Sequence, residues 1–122
     1  MSWHEGACHC GAVAFRVRVD AFEAIDCDCS ICTKKGYLHL IVEPDAFELL
    51  RGDDAMTEYR FHTGVAVHRF CATCGIHPFY TPRSHPDSID VNVHCLAPDV
   101  IARFEVKPFA GSAWEENVDS IR

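Results

Sequence analysis

A chain of 122 residues with 48% hydrophobic and 24% charged residues is the size of one globular domain. No apolar run approaches the roughly 18 residues of a membrane-spanning helix, so no membrane role is expected. A net charge of −7 leaves no basic footprint for a phosphate backbone, which argues against nucleic acid as a partner.

Residues 12–19, AVAFRVRV, alternate with period two. Val13, Phe15, Val17 and Val19 fall on one face and Ala14, Arg16 and Arg18 on the other, the pattern of a half-buried strand. YLHLIV (37–42) reads as a second strand, closed by Glu43-Pro44. Short strands are expected in FELL (47–50), TEYRF (57–61), VAVHRF (65–70), SIDVNV (88–93) and ARFEV (102–106), while AFEL after Pro44 also fits one helical turn. Turn signals separate them at Arg51-Gly52-Asp53, His62-Thr63-Gly64 and the TPRSHPD run. There is no long helical periodicity, linker or repeat. The expected fold is a small all-β antiparallel domain spanning residues 1–122, with the strand order left open.

Eight cysteines in such a chain have two outlets, disulfides or metal. The pairs Cys8/Cys10 and Cys27/Cys29 are separated by one residue, and a disulfide within either would close a very tight ring. Long-range pairing avoids that strain, but metal is the stronger reading. The start, MSWHEGACHCG, has neither a basic nor an apolar leader region, so a cytoplasmic protein is expected.

Cys8-x-Cys10-Gly and Cys71-x2-Cys74-Gly together supply four thiolates on two chelating turns, the set a closed tetrahedral zinc site requires. Such a site would staple the first strand to the middle of the sheet and contribute folding energy. His9 and His77 adjoin it, but four sulfurs leave neither imidazole needed as a ligand.

Cys27-x-Cys29-x2-Cys32 is different, with three thiolates within six residues and no obvious fourth. Reactive zinc keeps a coordination position open, and a three-sulfur site suits a thiolate as its fourth ligand. Such a cluster would bind a small thiol and present it to an electrophile. Cys95 or His94 is the alternative, closing the site as a merely structural one; alternation allows at most one of them to face it. Cys29-x2-Cys32 as a redox pair is a third reading, without the strand-to-helix setting of thioredoxin-like chemistry. Lys34 and Lys35 either offset the thiolate charge, receive a substrate carboxylate, or are ordinary solvated charge. Phe79 and Tyr80 either line a pocket or pack in the core, and Arg83 is a candidate anion ligand on a proline-rich loop.

Taken in order, CHCGAVAFRV, CDCSICTKKG and FCATCGIHPFYTPRSHP resemble the glutathione-dependent formaldehyde-activating enzyme family, which includes centromere protein V. The resemblance runs from Gly6 to about Glu115. KK after the third cysteine, YTPRSHP, HCLAPD and FAGSAWE look closer to the centromere protein V branch. It implies a β-rich zinc domain of the Mss4-like type with two zinc ions per chain. The structural ion would match Cys8, Cys10, Cys71 and Cys74; the reactive and labile one would match Cys27, Cys29 and Cys32 as the catalytic cluster. The implied activity is a carbon–sulfur lyase of the S-hydroxymethylglutathione synthase kind, with glutathione and an aldehyde as partners. A non-catalytic zinc-stabilised interaction or thiol-binding domain is the alternative.

Overall fold

The structure, a computed structural model, describes residues 2–60, 66–82 and 85–109. Strand β1 (Ser2–Ala7) pairs antiparallel with β2 (Ala14–Val19), from Ser2↔Val19 to Ala7↔Ala14. The other edge of β2 carries a third strand, Phe47–Arg51, which closes a three-stranded sheet. In β2 and the residue before it, Val13, Phe15 and Val17 are fully buried and Val19 is 1% exposed, so the period-two pattern names the core face correctly. Arg16 points outward, bonded to Glu48 at 2.6 Å and lying over the Trp3 ring.

The second sheet has seven strands. In chain order they are β3 (Glu23–Cys27), β4 (His39–Val42), β6 (Met56–Tyr59), β7 (Val67–Cys71), β8 (Phe79–Thr81), β9 (Ile89–Asn92) and β10 (Glu105–Phe109), with β5 being Phe47–Arg51 of the first sheet. Their spatial order is β10-β3-β4-β9-β8-β7-β6. Every described pairing is antiparallel except β10 with β3. That parallel pair departs from the expected pattern. The chain turns through helix α2 (Pro98–Ile101) and returns alongside β3 in the same sense, anchored by the Glu105 N–H to the Phe22 carbonyl at 2.8 Å. For the same reason the last strand lies at 105–109, later than the sequence suggests: residues 98–101 are spent in the helix.

Between β3 and β4 lies a second short helix that apolar periodicity did not reveal, Ser30–Lys35, here called α1 because it comes first in the chain. Cys29 caps it and Gly36 ends it in a left-handed turn. Pro44–Ala46 forms one 3₁₀ turn before β5, and Phe47–Leu49 of AFEL lie in the strand, not in a helical turn.

Phe15 joins the two sheets. Its ring stacks on Phe47 of the small sheet at 5.6 Å between centroids and meets Phe79 of the large sheet edge-on at 6.4 Å. A Cβ at residue 6 would fall 2.5 Å from the Phe15 ring, so only glycine fits beneath it. Truncating Phe15 leaves a cavity bounded by both sheets. Phe15→Ala should cost about 3–5 kcal/mol, measured by denaturant unfolding of the metal-loaded protein.

Candidate metal centres

The two cysteine turns of the first cluster come from different sheets. Cys8 and Cys10 follow β1, while Cys71 ends β7 and Cys74 lies in the turn after it. Their four Sγ atoms all lie within 4.8 Å of one another. Cys10 Sγ is 3.7 Å from Cys8 and 3.6 Å from Cys71. Four sulfurs at about 2.3 Å from a common centre stand about 3.8 Å apart, so these spacings fit tetrahedral zinc.

The two turns are built alike. Gly11 N–H donates to the Cys8 carbonyl at 3.2 Å and Gly75 N–H to the Cys71 carbonyl at 2.8 Å. Both glycines take φ near +80°, at 81° and 78°, which a side chain would strain. The turns also aim amide protons at sulfur. Burial pushes the Cys74 thiol up, but the N–H groups of Cys10 and Ile76 outweigh it and bring the group to about 6. The amides of Cys74 and Thr73 likewise hold Cys71 below its ordinary value. Both effects favour the thiolate that a metal needs.

The second cluster is assembled by the β3–α1 junction. Cys27 is the last residue of β3, Cys29 caps α1 and Cys32 lies within it. The Asp28 N–H donates to the Phe109 carbonyl at 3.1 Å, which ties the intervening residue to β10. The three Sγ atoms again lie within 4.8 Å of one another. Cys32 is buried at 5% exposure, whereas Cys27 and Cys29 are half-buried. Hydrogen bonds from Cys27 and Cys32 lower the Cys29 thiol to about 2. Cys27, donating to Cys29, is pushed up to about 11.

Among the described residues neither Cys95 nor His94 joins these three sulfurs. The Cys95 thiol lies 3.9 Å from the His77 carbonyl, and burial together with the charges of Cys8 and Cys74 pushes it up to about 12. Cys95 therefore sits towards the first cluster. The His94 Nδ1 faces the Gly36 carbonyl at 2.9 Å. His9 is exposed and His77 half-buried, and neither is part of a cysteine group.

Two residues at the second cluster escaped the sequence reading. His39 Nε2 is 3.2 Å from Cys32 Sγ, and His39 Nδ1 is 2.6 Å from Asp90 Oδ2. The pairing of β4 with β9 sets His39 opposite Asn92 and makes Asp90 its diagonal neighbour. The available signal was a polar residue inside the apolar run YLHLIV, and in SIDVNV a period-two row of polar residues, Ser88, Asp90 and Asn92, all of them buried.

Lys35 turns inward from the end of α1 and Lys34 is exposed, so only Lys35 bears on the cluster. Its Nζ lies 4.2 Å over the Tyr37 ring, 4.1 Å over Tyr80, and 3.0 Å from His68 Nδ1. Burial and the Lys35 charge lower His68 to about 4, so at neutral pH its ring is uncharged and Nδ1 accepts from the ammonium. Tyr80 thus belongs to the surroundings of the cluster, while Phe79 is core. A cleft of about 400 Å³ opens beside Lys35 and Gly36, and His77, Asn92, His94 and Cys95 also line it. Arg83 lies outside the described residues.

The family model of the glutathione-dependent formaldehyde-activating enzyme matches residues 3–116. The chain belongs to this family. A crystal structure of a protein from Rhodobacter sphaeroides, a structural-genomics target, has the same fold, with a TM-score of 0.73 and 34% identity. The alignment covers 84% of this chain and 99% of that one. The family's glutathione-related lyase chemistry and zinc binding are compatible with two cysteine clusters that can hold metal. Among the described residues no helix is long and apolar enough to cross a membrane.

The pattern of sulfur ionisation is testable with a thiol reagent. A lowered pKa in the folded state means thiolate at any pH above it. At pH 6 a thiol of ordinary pKa is less than about 1% ionised. In metal-stripped protein whose circular dichroism is unchanged, iodoacetamide at pH 6 should modify Cys29 well ahead of Cys27 and Cys95. Peptide mapping by mass spectrometry reads the order, and uniform labelling would refute it.

Proposed function

We propose that the chain is a zinc-dependent carbon–sulfur lyase that makes and breaks a small thiol–aldehyde adduct, as an S-hydroxymethylglutathione synthase does. The observation that carries this reading is the contrast between the clusters: four mutually close sulfurs in one, and in the other three to which neither Cys95 nor His94 adds. On this reading Cys8, Cys10, Cys71 and Cys74 hold a structural zinc, and Cys27, Cys29 and Cys32 a reactive one that exchanges more easily. The bound ion would supply stabilisation of a substrate thiol in its thiolate form at neutral pH.

The chain's own residues do the rest. Cys27 and Cys29 form the accessible side of the second cluster, where a small thiol can approach. In the forward direction the thiol sulfur bonds to the aldehyde carbon, and the carbonyl π pair passes to oxygen, which ends with the proton the thiol gave up. The reverse reaction breaks the same carbon–sulfur bond. Lys35, held between two tyrosine faces, keeps a positive charge beside the three thiolates and the forming alkoxide. The lined cleft next to it has room and polar groups for the remainder of a thiol such as glutathione.

The acidic balance of the chain supports a small-molecule partner over nucleic acid, and cysteines spaced for metal and not for disulfides support a cytoplasmic setting. The family match lends no support to the centromere protein V branch that the KK, YTPRSHP, HCLAPD and FAGSAWE stretches suggest.

Metal stoichiometry tests the reading directly. Protein purified under reducing conditions should carry about two zinc ions per chain, and Cys29→Ser, still folded on its first cluster, about one. With cobalt in place of zinc, glutathione should change the thiolate-to-metal absorption of the wild type and leave that of Cys29→Ser unchanged. Two metals with no response to glutathione or any other small thiol would favour a closed site and the interaction-domain alternative.

A further inference from the structure

The sequence and the family resemblance treat the three sulfurs of the second cluster as equivalent, but their surroundings are not. Cys32 is the buried one, and among the described residues it is the sulfur with an imidazole against it, His39 Nε2 at 3.2 Å. The ring is fixed from behind, since its Nδ1 lies 2.6 Å from Asp90 Oδ2 and 3.4 Å from the Tyr80 hydroxyl. Asp90 is in turn held by the Tyr37 hydroxyl, which donates to its backbone carbonyl at 2.5 Å. Cys32, His39 and Asp90 are 5%, 5% and 1% exposed, so this row of groups is shut away from water.

Fold stability does not account for the row. A buried carboxylate loses most of its hydration, and one ion pair rarely repays that loss. Asp90 is also thinly served: among the described residues its Oδ1 is buried without a hydrogen bond, and the carboxylate's further polar neighbour is the Tyr80 hydroxyl. A pair of apolar side chains across β4 and β9 would cost less. The row therefore has its reason at its outer end, on sulfur.

We infer that Asp90 and His39 are positioning residues for the metal-binding cluster: they hold Cys32 as its permanent sulfur and leave Cys27 and Cys29 as the side where ligands exchange. Each of the two short contacts needs one proton between its atoms. With sulfur present as thiolate, the outer proton sits on Nε2, and the contact becomes N–H donating to S⁻. Such a bond favours the thiolate over the thiol and so guards the sulfur against protonation, the event that releases it from metal in water, while also making it a poorer nucleophile. A carboxylate behind an imidazole is a common way of orienting a group around a metal centre, and its removal typically lowers metal affinity about 10–100-fold. Here the imidazole bears on the ligand sulfur. The inference rests on the reading that the second cluster holds a metal ion.

Two substitutions separate the hydrogen bond from mere packing. The amide nitrogen of glutamine reaches about as far as Nε2, and that of asparagine about as far as Nδ1. His39→Gln thus keeps a donor towards Cys32, while His39→Asn keeps only the partner for Asp90. Zinc affinity is measured by competition with a chromophoric chelator, without thiol or aldehyde. In His39→Asn the second site should weaken about 10–100-fold, with the first site unchanged as the internal control of folding. His39→Gln should retain most of the affinity, and the cobalt–thiolate band should shift to lower energy in His39→Asn alone. Equal affinities and bands in wild type and His39→Asn, or an equal loss in both variants, would overturn the inference while leaving the lyase reading intact. A wild type that binds only one zinc would overturn both. If His39→Asn does not fold, alkylation of the zinc-loaded wild type decides: Cys27 and Cys29 should be modified before Cys32, and the opposite order refutes the claim.

Discussion

Four sulfurs drawn from segments about sixty residues apart stand within 4.8 Å of one another, and that closeness is the constraint around which the rest of the fold is organised. As thiolates they would repel, and as thiols they would offer only weak hydrogen bonds in exchange for the entropy of closing so long a loop. A divalent cation removes the conflict, because its attraction to each thiolate exceeds their mutual repulsion. Two turns of the same construction, each ending in a glycine of positive φ, bring the sulfurs to tetrahedral spacing while their amides point inward. A metal ion held there would fasten the small sheet at Cys8 and Cys10 to the large one at Cys71 and Cys74. Phe15 fills the space beneath, and the apolar core and the metal turns support each other.

The second cluster obeys the same chemistry with a different outcome, because its ligands are local. All three sulfurs come from the β3–α1 junction, so no loop of any length has to be closed to assemble them. Metal bound there would do little for folding, and that frees the site for exchange and reactivity. Local origin also leaves one side of the cluster turned outward. Burial of Cys32 and half-burial of Cys27 and Cys29 divide the three sulfurs into an inner anchor and an outer pair.

Legibility in the sequence follows the range of the interactions. Cysteine spacing is local, so both clusters could be read from the residues and are found assembled as groups. The core face of β2 is also local, a matter of alternation at Val13, Phe15, Val17 and Val19. β1 escaped because SWHEGA shows no alternation: it is an edge strand with Trp3 41% exposed. β3 escaped because EAIDC mixes two acidic residues with two apolar ones, and it joins the sheet through a single described pair with β4, Ile25 opposite His39, while its other edge carries β10. His39 and Asp90 required the register of β4 on β9, which no pattern within either strand contains. A polar residue within an apolar run, as His39 is in YLHLIV, nevertheless marks where a register-dependent polar partner is to be sought.

Charge balance ties Lys35 to this picture. Three thiolates around one divalent ion leave an excess of negative charge, in a chain whose net charge is already −7. A surface lysine would answer this weakly, since water screens it. Lys35 is drawn inward, and burial lowers its pKa while the thiolates and Asp90 act to raise it. Loss of hydration is offset by two aromatic faces and by the unprotonated Nδ1 of His68, none of which carries a negative charge. The amine is thus desolvated, and among the described residues no carboxylate forms an ion pair with it. A cation kept in that state interacts more strongly with any anionic oxygen or sulfur that arrives than one already paired in a salt bridge. The inner end of the cluster, with His39 on Cys32, restrains a sulfur; the outer end, with Lys35 beside the cleft, offers a charge. A site built in this way is asymmetric before any substrate binds, and that asymmetry gives an incoming thiol one side from which to approach.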